Sequence, residues 1–365
     1  MTARAPRPLR YADAGVDVAA ADATVERYRE AAAVATRPEV LGGVGPFAGL
    51  FHLDTARYRD PVLVSSADGV GTKLLVAASL GRYGDVGQDL VNHCVNDVLT
   101  AGAEPLFFMD YLATAGLPQE RRVEVVAGIA EACAANGVAL LGGETADMPD
   151  LYRPGDYDLA GFMVGVVERD AIVDGSRIEA GDALIALPST GLQTNGYSLV
   201  REIFGIGKGS EDDREGLDAY VEELDGSLGD ALLAVHGSFL DVVRPLLPVL
   251  HGMAHITGGG LPGNVPRVLR EGLAAQLDVE SWESPPLFGY IQRIGGIEDG
   301  EMFRTFNMGA GMVLAVAPAD ADAVLASATG SWRIGEVVAR DGDPGVLGLP
   351  EEHGWMRGAT RCARS

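Results

Sequence analysis

The sequence predicts an α/β protein of two domains. Strand-like and helix-like runs alternate along almost the whole chain, the pattern of a mixed α/β architecture. Its 365 residues exceed what one hydrophobic core usually serves. The alternation breaks after Glu168, which places a first domain over 1–170, a second over 171–345 and a tail over 346–365.

Taken in order, PVLVSS (61–66) is β-branched and reads as a strand. Residues 85–102 read as a helix with two faces: Leu90, Cys94, Val95, Val98 and Leu99 form an apolar side. EPLFFMDYLAT (104–114) is a strand, 118–136 a helix, and 138–141 a short buried strand running into Gly142-Gly143. YDLAGFMVGVV (157–167) is a long, partly alternating strand. The second domain opens with the strand GDALIALP (181–188), followed by the loop STGLQTNG and helices over 197–204 and 238–249. The polar, acidic stretch 205–230 between those helices reads as a mobile surface excursion. A TGGG loop, a helix over 264–269 and strands near 273–279, 310–317 and 332–339 complete the domain, and a Gly/Pro/Arg-rich tail follows.

Charge and cysteine usage exclude several functions. With 28 basic and 52 acidic residues the formal net charge is −24, which argues against a generic nucleic-acid binder. Any polyphosphate ligand must then be held by metal ions and backbone N–H groups. No apolar run is long enough to span a bilayer, and the basic first ten residues lack the apolar core of a secretory signal. Cys94, Cys133 and Cys362 are too few and scattered for a disulfide framework or a CxxC metal site, so a reducing cytoplasm is expected.

Four segments carry candidate chemistry. In SADGVGTK (66–73) two glycines let backbone N–H groups approach an anion, Asp68 is placed to hold Mg²⁺, and Lys73, beside Lys208 the only lysine, can meet a phosphate. An ordinary tight strand-to-helix turn explains the run equally well. On the 85–102 helix, Asp89, His93, Asn96 and Thr100 form one polar stripe beside Asp97, either a metal or ligand face or a solvated one. GGETADMP (142–149) puts Glu144 and Asp147 at a strand end, where open α/β sheets bind ligands; the alternative is a Gly-Gly turn with exposed acids. Gly258, Gly259 and Gly260 precede a helix start and suit a phosphate nest. His251 and His255 lack the glutamate of a zinc HExxH site, and neither GxSxG nor a cysteine in a nucleophile context occurs.

Eight motifs occur in a fixed order: YADAGVD (11–17), DGVGTK (68–73), DLVNHCVNDVLTAGAEPLFFMDY (89–111), GGETADMP (142–149), YDLAGFMVGVVE (157–168), TNGYSLVR (194–201), HITGGG (255–260) and EMFRTFNMGAGM (301–312). Together they resemble the phosphoribosylformylglycinamidine cyclo-ligase (aminoimidazole ribonucleotide synthetase) family over residues 11–338. The resemblance implies a two-domain ATP-using fold whose N-terminal domains pair their sheets across a homodimer, with the second domain alongside. It implies conversion of formylglycinamidine ribonucleotide and ATP to aminoimidazole ribonucleotide, ADP and phosphate, in purine biosynthesis. The formyl oxygen is phosphorylated, an internal nitrogen closes the ring, and phosphate leaves. Motif by motif, it implies Asp68, Asp97 and Glu144 as Mg²⁺ ligands on ATP. Gly69, Val70, Gly71, Thr72, Lys73, His93, Asn96 and Gly143 fall in the ATP and phosphate region, and Asn195, Ser198, Gly258, Gly259 and Gly260 in the substrate site. Asp97, Lys73 and His255 are the catalytic candidates, with Asp110 an alternative to His255 as base.

The chain departs from the family pattern in places. GGFGGLF is replaced by a longer run over 42–51 with Pro46, SGTDGVGTK by SSADGVGTK, and GPHSNGYS by GLQTNGYS, which removes a histidine. Asp147 stands for a glutamate, and 211–230 reads as an inert insertion. Thiamine-monophosphate kinase, selenide, water dikinase and a non-catalytic nucleotide-binding regulator are the alternatives. The first typically has an Asp-Asp pair where this chain has Ala67-Asp68, the second a reactive residue near the N-terminus; intact carboxylates argue against the third.

Overall fold

The computed structural model describes residues 18–43, 45–207 and 211–350; the YADAGVD motif, Lys208 and Cys362 lie outside them. The first half contains helix α1 (Val18–Ala32), which the sequence reading did not anticipate, then β1 (Pro61–Gly69), α2 (Lys73–Leu80), α3 (Gly84–Leu99), β2 (Glu104–Thr114), α4 (Gln119–Ala135), β3 (Ala139–Asp147) and β4 (Tyr157–Glu168). Its four strands lie in the order β1-β4-β2-β3, antiparallel except for the parallel β2–β3 pair. Two expectations shift here. β1 runs on through Asp68, and β3 carries the glycine pair and Glu144 inside the strand rather than in a turn.

Helices α3 and α4 pack on one face of this sheet. Gly84 and Gly87 of α3 face α4 so closely that a Cβ on Gly87 would collide with the Val125 carbonyl, and one on Gly128 with that of Gly84. Leu90, Val91, Cys94, Val95, Val98 and Leu99 are buried, each worth about 1–3 kcal/mol of apolar transfer. The sheet's other face carries Leu63 (62% exposed), Phe162 (47%) and Met109 (39%).

The second half contains β5 (Ala183–Pro188), α5 (Tyr197–Phe204), α6 (Glu211–Asp218), a two-stranded ribbon β6 (Tyr220–Val221) and β7 (Gly226–Ser227), α7 (Leu228–Leu233), α8 (Leu240–Val243), β8 (Leu250–His255), α9 (Gly260–Asn264), β9 (Leu273–Leu277), α10 (Pro286–Gly295), α11 (Asp299–Thr305), β10 (Ala310–Val316), α12 (Ala321–Ser327), β11 (Trp332–Ala339) and β12 (Gly345–Leu347). Six of the strands form one sheet in the order β12-β9-β11-β5-β10-β8, antiparallel except for β12–β9.

Four predictions are corrected. The 238–249 helix is one turn followed by a 3-10 segment over Arg244–Val249 that holds two prolines. The helix expected over 264–269 ends at Asn264 and gives way to a 3-10 turn containing Pro266. The tail is not wholly irregular, since β12 pairs in parallel with β9. The acidic stretch is folded: Leu217, Leu228, Leu232 and Leu233 are buried, and Asp230 pairs with Arg82 of the first half at 2.8 Å.

Candidate functional site

The polar stripe of α3 faces the second half. Asp89, His93 and Asn96 are therefore buried, and α3 is covered on both sides, by its own sheet and by the other half. A solvated face is excluded.

Three imidazoles and two carboxylates meet on this seam. His93 Nε2 lies 2.9 Å from Asp68 Oδ2 and 3.8 Å from Asp97 Oδ2, and its Nδ1 lies 2.8 Å from Thr194 Oγ1. His255, the last residue of β8, places Nδ1 2.8 Å from Asp97 Oδ1 and Nε2 3.2 Å from His236 Nε2. Ser66 Oγ donates to Asp97 Oδ2 at 2.9 Å, and the Gly69 N–H donates to Asp68 Oδ1 at 2.6 Å. The three imidazole ring centroids stand 5.1 to 5.2 Å apart.

The electrostatics follow from burial and pairing. Burial pushes Asp68 and Asp97 up, but hydrogen bonds from His93 and His255 and the nearby imidazole charges outweigh it, so both carboxyls titrate below the usual range. Burial pulls His93 down; the bond to Asp68 and the charges of Asp97 and Asp68 overturn that, and its pKa lies above normal. His255 lies below normal because burial and the His93 charge exceed the pull of Asp97. His236 is pushed well down by burial and its neighbouring cations. The centre therefore gathers two carboxyls and two imidazoles, those of His236 and His255, that titrate below their usual ranges and one imidazole, that of His93, that titrates above it.

Asp68 and Asp97 keep 41% and 30% of their side chains exposed. At the rim, Thr72 Oγ1 lies 3.2 Å from Ser198 Oγ across the seam. Gly71, Ser198, Gly258 and Gly259 are exposed. A Cβ at Gly258 would stand 3.4 Å from Asn195 Oδ1, and the buried Asn195 Nδ2 has no protein acceptor. The glycine loop is shaped by Asn264, whose amide donates to the carbonyls of Thr257, Gly258 and Gly260. Gly259 and Gly260 both have positive φ, and a Cβ on Gly260 would strike the Phe303 carbonyl. Val70 is buried at the base of the Gly69–Gly71 turn.

The structure places several of the predicted site residues away from the open carboxylates. Lys73 has no solvent contact; its Nζ lies 2.7 Å from Asp89 Oδ2 and donates to the carbonyls of Ala234 at 2.9 Å and Gln193 at 3.2 Å, so no N–H remains for a phosphate. Asn96 donates to the Gly237 carbonyl and accepts from the Phe239 N–H, which makes it a brace between the halves. Glu144 pairs in register with Tyr111 on the sheet face away from α3, whereas Asp68 shares a cross-strand row with Gly161, Asp110 and Gly143 on the helix side. Glu144 thus does not join Asp68 and Asp97 within one chain. Gly143 sits over the Asp110 carboxylate, where a Cβ would collide with Oδ1. Asp147 is tied to Arg122 at 2.7 Å. Asp110 is buried, and burial pushes its carboxyl up to about 7. Sequence reasoning missed Ser66, Thr194 and His236; the first two lie inside motifs already singled out, but His236 lies in no motif.

Comparison with known proteins gives these observations a family. The descriptions "AIR synthase related protein, N-terminal domain" and "AIR synthase related protein, C-terminal domain" match residues 52–167 and 179–347. A phosphoribosylformylglycinamidine cyclo-ligase of Myxococcus xanthus is 51% identical over 91% of this chain and 97% of its own length. One of Xanthomonas oryzae pv. oryzae is 49% identical over 93% and 99%. Among solved structures, thiamine-monophosphate kinase from Stenotrophomonas maltophilia aligns with TM-score 0.67 at 18% identity, covering 90% of this chain and 96% of that one. The hydrogenase maturation protein HypE of E. coli aligns at 0.61 and 19%, covering 91% and 97%; both share the fold alone. With 51% and 49% identity to these proteins over 91% and 93% of its length, the chain belongs to the phosphoribosylformylglycinamidine cyclo-ligase family.

Proposed function

We propose that the protein catalyses ATP-dependent cyclisation of formylglycinamidine ribonucleotide to 5-aminoimidazole ribonucleotide, releasing ADP and phosphate. The observation that carries this is the near end-to-end identity to cyclo-ligases, which spans both sides of the seam on which the carboxylates and imidazoles meet.

An amide oxygen is a poor leaving group, so ring closure needs it activated, and transfer of the γ-phosphoryl group to the formyl oxygen does this. To the phosphates we assign Asp68, Asp97 and the Gly71 turn, whose partial exposure supports the assignment. Magnesium on a nucleotide is held by phosphates and one or two carboxylates, and Asp68 with Asp97 fits that donor set; when bound it supplies neutralisation of phosphate charge. Asn195 Nδ2, Ser198 and the Gly258–Gly260 loop serve the ribonucleotide end. His255, held through Nδ1 by Asp97 and facing His236 through Nε2, positions the Asp97 carboxylate from the second half. Because that nucleophile is tethered, holding it in line contributes much of the rate.

In this reading residues 1–170 bind ATP and dimerise, and 171–345 bind the ribonucleotide. The uncovered Leu63–Phe162–Met109 sheet face supports a homodimer. No helix among the described residues is long and apolar enough to cross a membrane, consistent with the cytoplasmic setting we assign. The test is a coupled assay with formylglycinamidine ribonucleotide, ATP and Mg²⁺. ADP and the aminoimidazole product in equal amounts are expected. ATP binding without turnover, or turnover only with thiamine monophosphate, would reject the assignment.

A further inference from the structure

We propose that His93, Asp97 and His255 form a site for a borderline transition dication of the zinc class, separate in chemistry from the magnesium that accompanies ATP. One ligand atom from each residue lies within 4.8 Å of the other two. A metal about 2.1 Å from each atom draws them together by side-chain shifts of about 1 Å. Two imidazoles and a carboxylate suit zinc, cobalt or nickel, whereas magnesium prefers oxygen alone.

The surroundings resemble a prepared metal site in a second respect. Protein metal ligands are generally oriented by partners on their remaining polar atoms. Here His93 Nδ1 is held by Thr194 Oγ1 at 2.8 Å, His255 Nε2 faces His236 Nε2 at 3.2 Å, and Asp97 Oδ2 accepts from Ser66 at 2.9 Å. The ligating atoms are then His93 Nε2, now 2.9 Å from Asp68 Oδ2, and His255 Nδ1 and Asp97 Oδ1, now 2.8 Å from each other, so a metal takes the place of these two hydrogen bonds. His236 is itself fixed, because its backbone N–H donates to Asp89 Oδ1 at 2.7 Å. Asp68, partly exposed beside His93, marks the side left open to water or an exogenous ligand. Binding replaces ring N–H bonds by metal–nitrogen bonds and releases those protons to solvent. Since Asp97 would be shared, zinc occupancy would exclude the magnesium-bound nucleotide.

The experiment uses the full chain stripped with chelator and titrated with Zn²⁺ in excess Mg²⁺. One zinc per chain by equilibrium dialysis is expected, with a rise in melting temperature. His236→Gln should weaken zinc about 10–100-fold by freeing the His255 ring, and a His93→Gln, His255→Gln double variant should bind none. In the unmutated chain, Co²⁺ should give the absorption of a low-coordinate nitrogen–oxygen site without a thiolate charge-transfer band. Absence of saturable uptake, uptake unchanged in the double variant, or a thiolate band would overturn the proposal. None of these readouts depends on the ring-closure activity.

Discussion

The ammonium of Lys73 lies 2.7 Å from the carboxylate of Asp89, and neither side chain has any contact with solvent. Both residues belong to the first half, yet the pair reaches across the seam: Lys73 donates to the Gln193 and Ala234 carbonyls, and Asp89 accepts from the His236 N–H. Removing one partner of such a pair strands a buried charge, at a cost of about 3–5 kcal/mol. Lys73→Met should therefore lower stability by that amount, and Lys73→Met with Asp89→Leu should recover part of it. A double-mutant cycle by denaturant unfolding measures the coupling; additive losses would deny the clamp.

Asp97 holds His255 and Ser66 at once. Asp97→Asn preserves the shape but removes the charge that orients the imidazole. Turnover should fall about 10²–10⁴-fold while the melting temperature stays close to that of the parent. Near-normal kcat with normal Mg²⁺ dependence would remove Asp97 from the machinery.

Asp110 gives a stability prediction with a definite sign. Its folded-state pKa of about 7 lies above that of an exposed aspartate, about 3.9, because burial disfavours the charge. The unfolded chain therefore loses this proton first as pH rises. The protonated group favours folding below about pH 4, and that advantage disappears progressively until about pH 7. Asp110→Asn should stabilise the protein at pH 8 by about 2–4 kcal/mol and leave it nearly unchanged at pH 4. Melting curves at the two pH values check it; a gain that is equal at both would contradict the burial argument.

The bare sheet face leads to a further variant. Phe162→Glu should convert a dimer to a monomer in light scattering while circular dichroism stays unchanged. A parent chain already monomeric, or a variant still dimeric, would place any dimer interface elsewhere.

The sequence was most readable where pattern and packing agree. EPLFFMDYLAT, YSLVREIF and WRIGEVVA fall on strand β2, helix α5 and strand β11 without displacement, since each periodicity matches the surface it buries. Glycines misled. Gly142 and Gly143 look like a turn, but Gly143 is a strand residue that makes room for the Asp110 carboxylate. The acidic stretch hid its buried leucines behind polar neighbours. At the site, the motifs located Asp68, Asp97 and His255, but the opposite facing of Glu144 depends on β3 register. Lys73 looked like a phosphate ligand because local sequence does not reveal that a second domain covers it. His236 carried no pattern at all.

An isotope label shows whether the formyl oxygen is activated by phosphorylation before the ring closes. Formylglycinamidine ribonucleotide carrying ¹⁸O in its formyl group should be turned over with ATP, and the released phosphate analysed by mass spectrometry. The label is expected in inorganic phosphate. Label found in water, with unlabelled phosphate, would contradict it.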